Sequence, residues 1–208
     1  MKKFITYIAK QPIKPGVYDA EANTRLQTDM ALRYPVSTML HGYTEKDDKI
    51  DVVVIHDKGN ALYEENLKIL EDEIKVIQEK NGFEYNIKTV EISDKQNAAD
   101  HLNTFSALLE EINDEDELFV DITYGNKPTP IIELMSVNAA YQLKKNVIVE
   151  CIVYGEVLFQ KDPKEYYIYD ITPLFSMLQV TNGLAQQGVK NPVEIIRKIL
   201  EPEDYENE

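Results

Sequence analysis

The sequence predicts an α/β fold in which a mostly parallel, doubly wound sheet is followed by a C-terminal β-hairpin and helices, and three observations predict it. Apolar runs of strand length alternate with segments of helical period from Ile50 to Tyr154. The run Val52-Val53-Val54-Ile55 is apolar on both faces, as a central parallel strand must be. After Gly155 the pattern changes to two short strands around a polar turn, which marks an antiparallel pair.

Each element follows from local pattern. Phe4 to Ala9 is a short apolar strand. Gln11 to Leu40 is the least regular segment: Pro12, Pro15 and Gly16 exclude a crossover helix directly after the first strand, so a long loop or lid is expected there. Ile50 to His56 is the next strand and Gly59-Asn60 breaks it. From Ala61 to Lys80, Leu67, Leu70, Ile74 and Ile77 fall on one helical stripe, which Asn81-Gly82 ends as a left-handed cap. Tyr85 to Ile92 alternates as a weaker strand. Ser93-Asp94 then supplies a cap for a helix of about Lys95 to Ile112, with Leu102, Phe105, Leu108, Leu109 and Ile112 inward, and the acidic turn Asn113 to Asp116 closes it. Leu118 to Ile122 is a strand, Pro130 to Leu143 a helix and Val147 to Tyr154 a strand. Val157 to Gln160 and Tyr166 to Tyr169 flank Lys161-Asp162-Pro163-Lys164-Glu165 as a hairpin. Asp170-Ile171-Thr172-Pro173 starts a helix through about Gln187, Asn191-Pro192 starts another through Leu200, and Glu201 to Glu208 form an acidic, frayed end.

Composition narrows the function. The 37 acidic and 22 basic residues of this 208-residue chain leave a net charge of -15, which repels nucleic-acid backbone and argues against long DNA or RNA as a partner. No apolar run approaches the roughly 20 residues that cross a bilayer, and the start Met1-Lys2-Lys3-Phe4 leads straight into a strand, so a cytoplasmic protein without a membrane segment is expected. Cys151 is the single cysteine, which excludes an intrachain disulfide, and it reads as a buried, inert thiol. His41, His56 and His101 show no metal-ligand spacing and read as surface or helix-end residues; no metal and no cofactor is expected. Neither the P-loop nor the Gly-x-Gly-x-x-Gly fingerprint occurs.

The most telling stretch runs from Glu117 to Pro130, an apolar strand leading through a polar, glycine-containing turn into a helix start. Ligands of open parallel sheets bind at the carboxyl ends of strands, near the point where the connections reverse. Two strand exits carry suitable groups: Lys10 and Gln11 after the first strand, and Thr123, Tyr124, Gly125, Asn126 and Lys127 after the fourth. Together they offer two ammonium groups, side-chain amides and hydroxyls and backbone N–H donors, with Gly125 allowing close approach of the main chain, a set suited to phosphate. Asp121 reads as ordering this turn, and Thr123 either orders it or binds ligand. Among the 13 tyrosines, Tyr7, Tyr18 and Tyr124 lie near enough in sequence to face a base.

Val120-Asp121-Ile122-Thr123-Tyr124-Gly125-Asn126-Lys127-Pro128, then Val149-Glu150-Cys151-Ile152-Val153-Tyr154-Gly155, then Ile168-Tyr169-Asp170-Ile171-Thr172-Pro173-Leu174 resemble, in order and spacing, three motifs of the CARF (CRISPR-associated Rossmann fold) domains of type III CRISPR systems. That family carries an Asp-x-Thr-x-Gly-x-basic motif at the end of a central strand, a Tyr-Gly pair at a later one and an Asp-Leu-Thr-like opening of the helix after the hairpin. The resemblance extends from Lys3 to about Gly188, and where the family commonly has a Gly-Thr or Ser element after the first strand this chain has Ala9, Lys10 and Gln11. It implies a Rossmann-like domain over residues 1–188, with residues 189–208 as a C-terminal helix and acidic tail. It further implies a homodimeric sensor of a cyclic oligoadenylate second messenger in antiviral defence, with the tetraadenylate favoured over the hexaadenylate and a pocket across the two-fold axis. Members of the family are often fused to an effector domain, which here would be separate or lie outside this chain. The alternatives are a metal-independent ring nuclease, in which Lys127 would be catalytic, and an unrelated Rossmann-like nucleotide-binding protein.

Overall fold

The computed structural model describes residues 1–20, 22–161, 164–190 and 192–200. The chain divides into two compact units, Met1–Asp170 and Ile171–Glu208.

The first unit is an α/β, Rossmann-like domain on a mostly parallel sheet. Its elements are β1 (Lys2–Tyr7), β2 (Tyr18–Asp19), α1 (Pro35–Tyr43), β3 (Lys49–Asp57), α2 (Tyr63–Asn81), β4 (Glu84–Ile92), α3 (Ala98–Glu111), β5 (Glu117–Asp121), α4 (Pro128–Leu143), β6 (Ile148–Leu158) and β7 (Glu165–Asp170). The strand order is β2-β7-β6-β5-β1-β3-β4, and among the described strands only β6 and β7 pair antiparallel. In β1, Phe4 pairs with Val52 on one side and Phe119 on the other. The strand alternation sorts the core into two layers: Phe4, Ile8, Val52, Val54 and Phe119 meet the apolar stripes of α1 and α2. Ile5, Val53 and Val120 are equally buried, on the other face of the same strands. After β1 the chain first forms β2 at the far edge; it then returns through α1 to build β3 and β4 on one side of β1, and crosses back to β5 and β6 on the other. The reversal point therefore lies between the exits of β1 and β5.

Several sequence expectations are corrected here. Gln11 to Leu40 runs as the expected long connection as far as Tyr34, with Tyr18, Leu26, Leu32 and Tyr34 buried, but its end is helical: Pro35 opens α1 at the first helical position, where its missing N–H costs nothing. α3 starts at Ala98 instead of Lys95, because Asn97 accepts from the N–H groups of Ala99 and Asp100 while Ser93 accepts from Lys95 N–H in the preceding turn and donates to the Asp100 side chain. α4 starts at Pro128, two residues earlier than expected. His56 is neither at the surface nor at a helix end; it is buried in β3 and stacks on Tyr63 at 3.9 Å. The expected break at Gly155 is absent, and β6 runs unbroken into the hairpin, of whose turn Asp162 and Pro163 lie outside the described residues.

Gly155 has a steric purpose, since a Cβ there would stand 2.5 Å from Cγ of Pro35. Gly155→Ala is expected to destabilise the unit by about 1–3 kcal/mol through overpacking. Gly183→Ala, which meets nothing within 4 Å, is the matched control and should leave the melting temperature unchanged or raised.

The second unit contains α5 (Thr172–Gln186) and α6 (Val193–Leu200), which pack on each other. The expected cap Asn191 and the tail Glu201 to Glu208 lie outside the described residues.

Candidate functional site

The β5–α4 turn is built around Asp121, which is fully buried. One of its carboxylate oxygens accepts from the Thr6 hydroxyl at 3.0 Å and from Val36 N–H at 3.2 Å, and the other accepts from Thr123 N–H at 3.0 Å. A single side chain thus ties β1, the N-terminus of α1 and the turn together. Burial pushes its carboxyl above the usual carboxylate range, and the hydrogen bonds from Thr123, Thr6 and Val36 oppose that shift. Thr123 is committed in the same way. Its hydroxyl donates to Asp121 and accepts from Gly155 N–H at 2.8 Å, joining the turn to β6.

Beyond Thr123 the turn exposes its backbone. Gly125 has φ +111°, a conformation that favours glycine. Asn126 carbonyl accepts from Thr129 N–H, which bends the chain into α4, and Lys127 is the residue just ahead of the helix. Among the described residues, the N–H groups of Tyr124, Gly125, Asn126 and Lys127 donate to no protein acceptor. The Lys127 side chain is exposed. Consecutive free N–H groups ahead of a helix N-terminus form a positive concavity for an anion.

The β1 exit faces this turn. Nζ of Lys10 lies 3.5 Å from Oδ1 of Asn126, a contact across 116 residues of chain. The loop behind it is fixed by Asn66 of α2, whose Nδ2 donates to the Ala9 carbonyl at 2.8 Å and to the Gln11 carbonyl at 3.2 Å. Sequence reasoning missed Asn66, although its register four residues before Leu70 puts it on the buried stripe. Lys10 also pairs with Asp57 at the end of β3. Burial lowers the Lys10 pKa, and nearby Asp94 opposes the change.

A cleft of about 390 Å³ opens beside the turn, lined among others by Gln11, Lys14, Thr123, Tyr124, Tyr154 and Lys164. Of the seven residues expected at the site, Gln11, Thr123 and Tyr124 line this cleft; Lys10 and Asn126 meet each other but, like Gly125 and Lys127, stand outside its lining. Tyr124 donates to the Arg33 carbonyl at 3.1 Å and packs edge-on to Tyr34. Tyr18 borders the cleft with its ring almost wholly covered. Tyr7 cannot face a base: it is fully buried and donates to Asp57. Cys151 is buried, and its thiol hydrogen-bonds with the Tyr43 side chain. Among the described residues no group of three His, Cys, Asp or Glu side chains could hold a metal, and no helix is long and apolar enough to cross a membrane.

The fold and this turn define a Rossmann-like domain whose central strand exit presents unpaired backbone N–H groups. No protein-family model matches the chain. It is distantly similar to the CRISPR-associated protein MJ1674 of Methanocaldococcus jannaschii, with 28% identity over 113 residues, which is 54% of this chain and 18% of that protein. The match thus spans less than a fifth of the relative's length.

Proposed function

We propose that this chain is a CARF-type sensor that binds a cyclic oligoadenylate, the tetraadenylate in preference to the hexaadenylate, across the axis of a homodimer. The observation that carries the reading is the unpaired run of N–H groups from Tyr124 to Lys127, placed at the reversal point of the sheet and met there by Lys10 from the other strand exit. These groups suit phosphate, and their local concentration offsets the repulsion from a chain of charge -15. The distant similarity to a CRISPR-associated protein agrees with this reading.

An apolar groove of about 470 Å³ between α3 and α4 supports the dimer. Leu102, Ile131 and Met135 are 62%, 60% and 56% exposed there, and no lining residue is Asp, Glu, Lys or Arg. A charge-free face lets two copies that repel overall associate with little local repulsion. The groove begins at Pro128, and a two-fold axis at that end of it would bring the two Lys127 side chains and both turns to one place, matching a ring of even symmetry.

The test is incubation with cyclic tetra- and hexaadenylate, with binding followed by melting temperature and the fate of the ring by chromatography. The expected result is a raised melting temperature with the ring intact, reduced at least tenfold in apparent affinity by Lys127→Ala. Linear products ending in a 2′,3′-cyclic phosphate would instead assign ring-nuclease activity, and no shift with either ring would overturn the reading.

A further inference from the structure

Lys10 lines a second cavity of about 210 Å³, together with Asp57, Lys58, Asn60 and Asp94, at the exits of β1, β3 and β4. Asp57 is 2% exposed. One of its oxygens takes both the Lys10 ammonium and the Tyr7 hydroxyl, and the other is buried with no hydrogen-bond partner. The charged and titratable groups around it are Tyr7 and Lys10 from β1 and its exit, Lys58 from its own strand exit, and Asp94 from the exit of β4. A buried carboxylate with one unsatisfied oxygen is readily protonated. Burial and the neighbouring Asp94 push its pKa up to about 6.

We propose that Asp57 is a positioning residue that controls the charge of the anion site through Lys10. Ionised, Asp57 cancels the Lys10 ammonium; protonated by solvent, it leaves that ammonium, opposed then by Asp94 alone, beside Asn126 and the N–H turn. An anion arriving at the turn then favours the protonated form, so binding takes up a proton and strengthens as pH falls through 6. This inference rests on the oligoadenylate reading of the same site.

The test is calorimetric titration of the full chain with cyclic tetraadenylate between pH 5.5 and 7.5, in buffers of different ionisation enthalpy. Wild-type affinity should rise roughly sixfold toward pH 5.5, given a one-unit rise of the Asp57 pKa on binding, with proton uptake seen in the buffer dependence. Asp57→Asn, which can still accept from Lys10 and Tyr7, should bind at pH 7.5 roughly five- to tenfold more tightly than wild type, with a flat profile. A variant that keeps the wild-type slope, or binds more weakly throughout, overturns the proposal. If wild type binds no ring, the functional reading fails, and the device is judged on the protein alone. A double-mutant cycle of Asp57→Asn and Lys10→Ala on melting temperature should show coupling at pH 7.5 that disappears by pH 5; equal coupling at both values overturns it.

Discussion

Asp121→Ala is expected to lower the melting temperature by roughly 6–12 °C, from a loss of about 3 kcal/mol, and to abolish anion binding at the turn. The substitution leaves the Thr6 hydroxyl and the N–H groups of Val36 and Thr123 without the acceptor they share. Thr6 is fully buried, and so is Val36, so water cannot replace the carboxylate at low cost. The consequence reaches function because the same bonds fix the start of the turn that presents the free N–H groups. Asp121→Asn keeps one acceptor oxygen and should lie between the two. A thermal melt of Asp121→Ala within 2 °C of wild type would show that the carboxylate does not hold these elements together.

Glu133→Leu is expected to have a large effect of opposite sign, raising stability by about 2 kcal/mol, or roughly 4–8 °C. Glu133 sits on the inner stripe of α4, 1% exposed, with both carboxylate oxygens buried and unpartnered. Burial, and secondarily the charge of Asp121, push its pKa well above the ordinary carboxylate value. The folded chain therefore holds a proton that the unfolded chain releases above its ordinary pKa. For such a group stability is highest at low pH and falls as pH rises from about 4.5 toward the folded pKa. Wild type should accordingly gain stability relative to Glu133→Gln on acidification from pH 8 to 5, and the difference between the two melting curves isolates this group from the other carboxylates. A Leu variant that melts below wild type would mean that the acid serves a partner in the fold.

How much of this was legible in the sequence depends on what each residue type signals. The strands could be read because Val52 to Ile55 and Leu118 to Val120 are apolar on both faces, and α2 because its stripe is regular. α1 was hidden by the irregular chain before it, whose order comes from long-range packing of Tyr18, Leu26, Leu32 and Tyr34 and leaves no period behind. The N-terminus of α1 carries no side-chain cap of its own. Carboxylates from other elements serve it instead, Asp121 on Val36 N–H and Glu73 on Arg33 N–H, Tyr34 N–H and the Ser37 hydroxyl. Glu73, Asn66 and Glu133 share one cause of concealment. Hydrophobic patterning assigns polar residues to solvent, yet each lies in register with the buried residues of its helix. That register is the signal that would reveal them. At the site, the meeting of the two strand exits follows from the switch point of a doubly wound sheet. The pairing of Lys10 with Asp57 does not, because it depends on side-chain direction across neighbouring strands.

The central claim, that the β5–α4 turn is an anion cradle doubled across a symmetric pair of chains, is tested most directly by the stoichiometry of cyclic tetraadenylate binding, measured by titration with molecular mass followed in parallel. The account predicts one ring per two chains, with Lys127→Ala weakening the complex and leaving the ratio unchanged. One ring per single chain, or a ring bound with undiminished affinity by Lys127→Ala, would contradict it.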